Sequence, residues 1–170
     1  MKVFFDTEFT GLQQATGLIS IGLIDEDGRE FYGVNSSYTD FYMDEETEAW
    51  VEENVIRNLY SVLPDRWFVV ANGYESLAKL LAMWLDKYDY VEMWGDVPHY
   101  DWVLFRELFD NEIPKNVYYI PFDLATLFKA HGEDPDISRE AFCGVAGVKH
   151  NAAHDAWIIR ACYNKLEEQK

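Results

Sequence analysis

Two carboxylates stand two residues apart near the start of the chain, at the end of an apolar run that predicts a strand. They are Asp6 and Glu8, on either side of Thr7. Because residues i and i+2 of a strand point to the same side of a sheet, the two carboxylates lie side by side. Like charges at that separation repel each other unless a cation lies between them. The pair is a candidate ligand set for a divalent metal ion. Asp-x-Glu is a common spacing, so this hypothesis depends on further ligands elsewhere in the chain.

A second cluster, near the end of the chain, combines a histidine with another acid. His150 and Asp155 flank the predicted start of the last helix, which Asn151 is suited to cap. With that cap, His150 lies in the preceding loop and Asp155 in or just beyond the first turn, so both can face one pocket. The helix dipole favours a carboxylate at this end, and histidine is the side chain best suited to move protons near neutral pH. Asp101, at the start of a central helix, is the fourth candidate acid.

The elements that must position these residues follow from hydrophobic spacing and turn signals. Three β-rich runs open the chain, and Asp27-Gly28 between the second and third indicates a hairpin, so those two strands are expected to be antiparallel neighbours. The predicted strands lie at residues 3–5, 18–24, 30–34, 91–94 and 117–120, and the predicted helices at 44–53, 77–88, 102–109, 124–128 and about 151–166. Residues 57–72 have no clean period and are predicted as loop. A meander followed by alternating strands and helices predicts an α/β fold with a mixed central sheet, flanked by helices.

Composition limits the classes of protein that this chain can be. Its 170 residues are 49% hydrophobic, which predicts one domain over 1–170 with a substantial core. No apolar run approaches the roughly 18–20 residues that cross a bilayer, and two cysteines make neither a disulfide framework nor a zinc site. We therefore expect a soluble, cytoplasmic protein without a membrane partner.

The charge of the chain is strongly acidic, with 31 Asp and Glu against 14 Lys and Arg, a net charge of −17. This balance argues against binding nucleic acid through a broad basic surface, but it does not exclude a nucleic acid approached through metal ions. Seven of the acids fall in residues 40–53, which contain no Lys or Arg and predict a solvated acidic helix capped by Asp44.

The order Asp6-x-Glu8, Asp101, His150-x4-Asp155 resembles the DEDDh group of DnaQ-like 3′-5′ exonucleases, which have four metal-binding acids and a histidine five residues before the last acid. The resemblance covers nearly the whole chain. It is strongest to the small RNase T-like 3′-exoribonucleases, through Trp94 ahead of Tyr100-Asp101 and through the strand at residues 19–24. Two departures stand out. Residues 96–99 replace the His-Asn-Ala of many relatives, and Asn151 occupies the position where the tyrosine subgroup has Tyr.

The resemblance implies a ribonuclease H-like fold and removal of nucleotides from single-stranded RNA 3′ ends or overhangs by two-metal-ion hydrolysis. Two Mg²⁺ or Mn²⁺ ions would be the cofactors. Relatives are often dimers, so the resemblance is compatible with a homodimer, and the sequence leaves the oligomeric state open. By this resemblance, the first ion would be held by Asp6, Glu8 and Asp155, and the second by Asp6 and Asp101. His150 would be the general base. The candidate substrate contacts next to these acids are Phe9, Thr10, Leu12 and Tyr100.

Other functions remain open at this stage. One is a 3′-5′ exodeoxyribonuclease of the same fold, and another is a non-enzymatic acidic protein that mimics DNA. Asp6-Thr7-Glu8 also resembles the nucleophile motif of haloacid dehalogenase-like phosphatases, which have Asp where Glu8 stands, and His154-Asp155 resembles HD-type phosphohydrolases, which need an Asp further downstream. If the chain is an exonuclease, its net charge predicts a small footprint at the 3′ end and weak metal-free affinity for long nucleic acids.

Overall fold

Three N-terminal strands form the centre of the sheet. In the computed structural model, which describes residues 1–60 and 68–168, they are β1 (Lys2–Phe9), β2 (Leu18–Asp25) and β3 (Glu30–Asn35). β2 pairs antiparallel with β1 on one side and with β3 on the other. The predicted hairpin is confirmed, since Gly28 has a φ of 92° in the turn between β2 and β3.

Three short strands extend this meander in parallel. They are β4 (Val69–Ala71), which pairs with β3, and β5 (Glu92–Gly95) and β6 (Phe122–Asp123), which continue the sheet beyond β1. The strand order is β4-β3-β2-β1-β5-β6. The predicted fold class, a mixed sheet with an antiparallel meander plus parallel strands, is confirmed.

Helices cover both faces of the sheet. They are α1 (Glu45–Asn54), α2 (Tyr74–Leu85), α3 (His99–Leu108), α4 (Leu124–Ala130), α5 (Arg139–Cys143) and α6 (Ala152–Glu168). Because side chains alternate along a strand, Val3 and Phe5 pack in the core with α2 and α3, whereas Phe4 packs with α4 and α6. β1 is therefore buried on both faces, and the site at its end is held from both sides. Among the described residues, no helix has the length and apolar character needed to cross a membrane.

The structure corrects three local predictions. Residues 117–120 are not a strand: only Val117 makes an isolated bridge, to Val91, and the sheet strand follows at Phe122. Tyr119 is 65% exposed, because this aromatic run lies outside the strand pairing. The predicted loop at 57–72 contains β4, and its residues 61–67 lie outside the described part of the chain. α5 was missed because five residues are too few to show a helical period.

The N-terminus of α6 lies directly on β2 at Gly22. A Cβ atom at this position would overlap the carbonyl of Ala152 and the amide nitrogen of Ala153, both of which are backbone atoms. Only a residue without a side chain lets the helix approach the sheet this closely. Gly22 therefore sets the position of the first turn of α6, which carries Asp155.

We expect Gly22→Ala to lower the free energy of unfolding by about 1–3 kcal/mol, the usual range for inserting a methyl group into a packed core. The matched control is Gly33→Ala on the neighbouring strand, where the nearest atom to an added Cβ belongs to the flexible end of Leu77. Denaturant unfolding of both variants measures the difference. Equal losses of stability would show that α6 is not held at Gly22.

Candidate active site

The structure brings three of the four predicted acids into one group. Asp6 and Glu8 lie on β1, Asp155 lies in the first turn of α6, and a carboxylate oxygen from each falls within 4.8 Å of the others. Glu8 is buried, and Asp6 and Asp155 are half-buried. Three oxygen donors at this spacing can hold one hard divalent cation.

Asn151 fixes the orientation of Asp155. The Asn151 side chain accepts a hydrogen bond from the amide of His154 (3.1 Å), which is the N-cap predicted from the sequence, and donates one to the carbonyl of Asn58 (2.9 Å). Its own backbone amide donates to the Asp155 carboxylate (3.2 Å). The start of α6 therefore turns this carboxylate back toward β1.

Asp101, the fourth acid, is held against β1 by Thr7. The first turn of α3 places Asp101 where its Oδ1 accepts hydrogen bonds from the Thr7 amide (3.0 Å) and the Thr7 hydroxyl (2.6 Å). Thr7 stands between Asp6 and Glu8, so one strand segment contributes two acids and anchors a third. Asp101 lies next to Asp6 but outside the group of three carboxylates.

Without a cation these carboxylates repel one another in a poorly solvated place. Burial, reinforced by Asp101 and Asp155, raises the pKa of Asp6 well above its usual range. Burial, together with the charges of Asp155 and Asp101, raises the pKa of Glu8 to about 8. Burial raises the pKa of Asp155 to about 6. Burial also raises the pKa of Asp101. A site that so disfavours its own ionised form fits divalent cations, which supply the missing positive charge.

His150 stands at the edge of the acid group in a constrained conformation. Its backbone is left-handed, with a φ of 56°, and its ring contacts the Trp50 ring edge-on with centroids 5.0 Å apart. Burial and the neighbouring Lys149 charge lower the pKa of His150 below its usual range. The imidazole is therefore mainly neutral at pH 7, the form that can accept a proton.

A cavity of about 580 Å³ opens beside the acids and has both polar and apolar walls. The acids and His150 form the polar wall, and Phe9, Leu12 and Trp50 provide apolar surface. Leu12 is 78% exposed, so its side chain adds apolar surface that is open to solvent.

One face of α1 closes this cavity. The acidic helix and its Asp44 cap are confirmed, since the Asp44 carboxylate accepts a hydrogen bond from the Thr47 amide (2.8 Å). The predicted solvated helix is confirmed, since all five of its acids are exposed. One face of the helix, with Glu46, Thr47, Trp50 and Val51, also lines the cavity, which the prediction did not include. The i, i+4 spacing of Glu46 with Trp50 and of Thr47 with Val51 is the signal in the sequence that could have revealed this face.

The four candidate substrate contacts take different places. Phe9 and Leu12 line the cavity. Tyr100 supports them: its ring stacks on Phe9 with centroids 5.3 Å apart, and its hydroxyl donates to the Leu12 carbonyl (2.7 Å). The expectation for the Thr10 side chain needs correction, because Thr10 is fully buried and its hydroxyl accepts a hydrogen bond from the Gly17 amide (2.8 Å). This hydrogen bond joins the two ends of the loop at residues 10–17.

The chain is similar to known proteins over most of its length. The family model of the Rv2179c-like 3′-5′ exoribonuclease domain matches residues 1–166. Two relatives from Mycobacterium tuberculosis, the 3′-5′ exoribonuclease Rv2179c of strain H37Rv and the 3′-5′ exoribonuclease MT2234.1 of strain CDC 1551, are each 30% identical over 134 residues. These alignments cover 78% of this chain and 76% of each relative.

Among solved structures, the chain is similar to the Pan2 catalytic unit of Neurospora crassa, which contains a protease and a nuclease domain. The TM-score is 0.49 and the sequence identity 15%. The match covers 98% of this chain and 27% of the Pan2 chain, so the chain spans about a quarter of that protein.

The raised carboxylate pKa values predict how metal-free protein responds to pH. The folded state binds protons more tightly than the unfolded state, in which Glu8 and Asp155 return to about 4.5 and 3.8. Their contribution to stability is therefore present at low pH and is lost as pH rises through about 6 and about 8. We expect the unfolding temperature in chelator to fall between about pH 5 and pH 8.

Excess Mn²⁺ should remove most of this fall, because the ion stabilises the ionised carboxylates of the folded state. Glu8→Gln in chelator should also flatten the dependence, since the variant has no carboxyl at residue 8 to titrate. Thermal unfolding across the pH range, with and without Mn²⁺, tests both expectations. A metal-free unfolding temperature that rises toward pH 8 would contradict the electrostatics described above.

Proposed function

The chain belongs to the Rv2179c-like 3′-5′ exoribonuclease domain family, and on that premise we propose that it removes nucleotides from single-stranded RNA 3′ ends or overhangs by two-metal-ion hydrolysis. Its predicted place in the DEDD exonuclease superfamily is confirmed by the family match. The observation that carries the proposed mechanism is the convergence of Asp6, Glu8 and Asp155 within 4.8 Å, next to Asp101 and His150.

Two divalent ions, Mg²⁺ or Mn²⁺, fit this donor set. Asp6, Glu8 and Asp155 would hold the first ion, and Asp6 with Asp101 would hold the second. Hard carboxylate oxygens suit both metals, and neither Cys143 nor Cys162 lines the acid cavity to favour a softer one. When bound, such ions make water more acidic and neutralise charge that develops on a phosphate.

His150 is the proposed general base. Its neutral imidazole lies at the mouth of the acid group, where it takes a proton from the attacking water. The water oxygen forms a bond to the terminal phosphorus as the bond from phosphorus to the preceding 3′ oxygen breaks. The products are a nucleoside 5′-monophosphate and an RNA shortened by one residue with a free 3′ hydroxyl.

The apolar surfaces of the cavity are proposed to bind the terminal base. Trp50 and Phe9 offer aromatic surfaces and Leu12 an exposed aliphatic one. Stacking on an aromatic side chain contributes about 1–3 kcal/mol per base and tolerates any sequence. No Lys or Arg of the described chain lines this cavity, so recognition depends on stacking and on metal-bound phosphate, which supports a small footprint at the 3′ end.

The test uses a 5′-labelled single-stranded RNA, its DNA counterpart and Mg²⁺ or Mn²⁺. We expect the RNA to shorten stepwise from its 3′ end with release of mononucleotides, and we expect chelator to stop the reaction. His150→Ala should lower kcat by about 10²- to 10⁴-fold, the usual contribution of a general base, and should retain Mn²⁺ binding. His131→Ala is the matched control, because His131 pairs with Glu167 (3.8 Å) and does not line the cavity.

The alternatives give different results in the same assay. Unchanged kcat in His150→Ala would overturn the role of this residue as the base. Faster shortening of DNA than of RNA would favour the exodeoxyribonuclease. Oligonucleotides left intact under both metals would favour an acidic protein that occupies the nucleic-acid site of a partner.

A further inference from the structure

A second cavity, of about 260 Å³, reaches the same acids from another side. It shares Asp6, Asp155 and His150 with the substrate cavity. Its other charged residues are Arg139 and Glu140 of α5, Lys149 from the segment after α5, and Asp96 from the segment between β5 and α3, and α6 adds Ile158 and Ile159. This cavity is built from ion pairs, and none of its residues has a role in the proposed mechanism except the three that are shared.

Arg139, at the start of α5, is held in one orientation. Its Nε and Nη2 donate to the two carboxylate oxygens of Asp96, both at 2.8 Å. Nη1 also donates to the Ile137 carbonyl (2.7 Å) and Nη2 to the Pro135 carbonyl (2.8 Å), and the guanidinium lies 4.4 Å from the centre of the Phe128 ring. With 14% of the side chain exposed, this bidentate pair is far better defined than a surface ion pair.

Asp96 belongs to the short segment that leads to Asp101. This segment joins β5 to α3, and Val97 within it has a left-handed backbone with a φ of 51°. The Val97 amide donates to the Asp123 carboxylate (3.0 Å), which also caps α4. Asp96 is therefore fixed relative to β5 and to the first turn of α3.

The residue after Arg139 continues the connection toward His150. The Glu140 carboxylate lies 3.2 Å from the Lys149 ammonium, and Lys149 directly precedes His150. Residues 145–149 lie outside any helix or strand, and the Lys149 carbonyl accepts a hydrogen bond from the Asn58 side chain (3.1 Å). Two consecutive residues of α5 thus bond to the two segments that flank the acid group, one leading to Asp101 and the other to His150.

We propose that Arg139 and Glu140 form a brace that positions His150 relative to the metal-binding acids, with Arg139 as its rigid end. This inference depends on the proposed role of His150 as the general base. A displacement of about 1 Å in a reacting group can cost about 10²-fold in rate, so a loop without regular structure needs such an anchor. The brace touches neither substrate nor metal, and it acts through His150.

The experiment measures kcat and KM for a short single-stranded RNA at saturating Mg²⁺. Arg139→Gln and Asp96→Asn should each lower kcat by about tenfold or more, with KM changed by less than about twofold. The Mn²⁺ affinity of Arg139→Gln, which keeps every carboxylate, should be unchanged. Arg139→Lys should recover only part of kcat, because lysine keeps the charge and loses the planar fork. Glu140→Gln breaks the other half of the brace without disturbing the packing of Arg139, and should lower kcat in the same direction.

A matched control separates positioning from stability. Arg29 pairs with the buried Asp25 (3.1 Å) in the hairpin between β2 and β3 and lines neither cavity. Arg29→Gln should lower the unfolding temperature and leave kcat unchanged. If Arg29→Gln lowers kcat as much as Arg139→Gln at equal loss of stability, the effect is structural and the brace is refuted.

The double variant of Arg139→Gln with His150→Ala shows which proposal is wrong if one of them is: the role of the brace or the role of His150 as the base. If Arg139 acts through His150, then Arg139→Gln has no further effect on kcat in the His150→Ala background. Full kcat in Arg139→Gln alone, or an equal loss in both backgrounds, overturns the brace and leaves the role of His150 intact. Full kcat in His150→Ala alone overturns the base, and the brace with it.

Discussion

The repulsion among four carboxylates is the constraint on which the rest of the structure depends. Asp6, Glu8, Asp101 and Asp155 come from β1, α3 and α6, and burial raises the pKa of each. Hydrogen bonds and close packing keep the four acids together in the folded chain in spite of this repulsion. Thr7 holds the acid of α3, Asn151 turns the acid of α6, and Gly22 lets α6 approach the sheet. The fold therefore brings the candidate ligands together, and the proposed cations would supply the positive charge that the site lacks.

Residues near in sequence were the easiest to predict. The i, i+2 rule placed Asp6 beside Glu8, and the Asn151 cap placed Asp155 in the first turn of α6. The meander and the mixed sheet followed from turn signals and alternation. Contacts between distant segments were not accessible: Trp50 meets His150 across about a hundred residues, and Arg139 meets Asp96 across 43. No local period encodes such pairs, because they are fixed by how α1 and α5 pack against the sheet.

The structure shows where the acids and cations that make up the net charge of −17 lie. The acids of α1 are all exposed, and one of them, Glu46, also lines the cavity beside Trp50. The cations nearest the acids, Arg139 and Lys149, are already paired with Asp96 and Glu140. The cavity therefore offers apolar surface and carboxylates in place of a basic groove, which agrees with the proposal that recognition depends on stacking and on metal ions.

Every proposed role of the site depends on the binding of divalent ions by the acid group. Titration of the metal-free protein with Mn²⁺, followed by calorimetry or by the loss of the free-ion electron paramagnetic resonance signal, tests it most directly. We expect wild-type protein to bind about two ions per chain, as a two-metal site requires, and Asp6→Asn to lose tight binding of both because both proposed ligand sets include Asp6. No binding by the wild-type protein, or identical binding by Asp6→Asn, would contradict the claim.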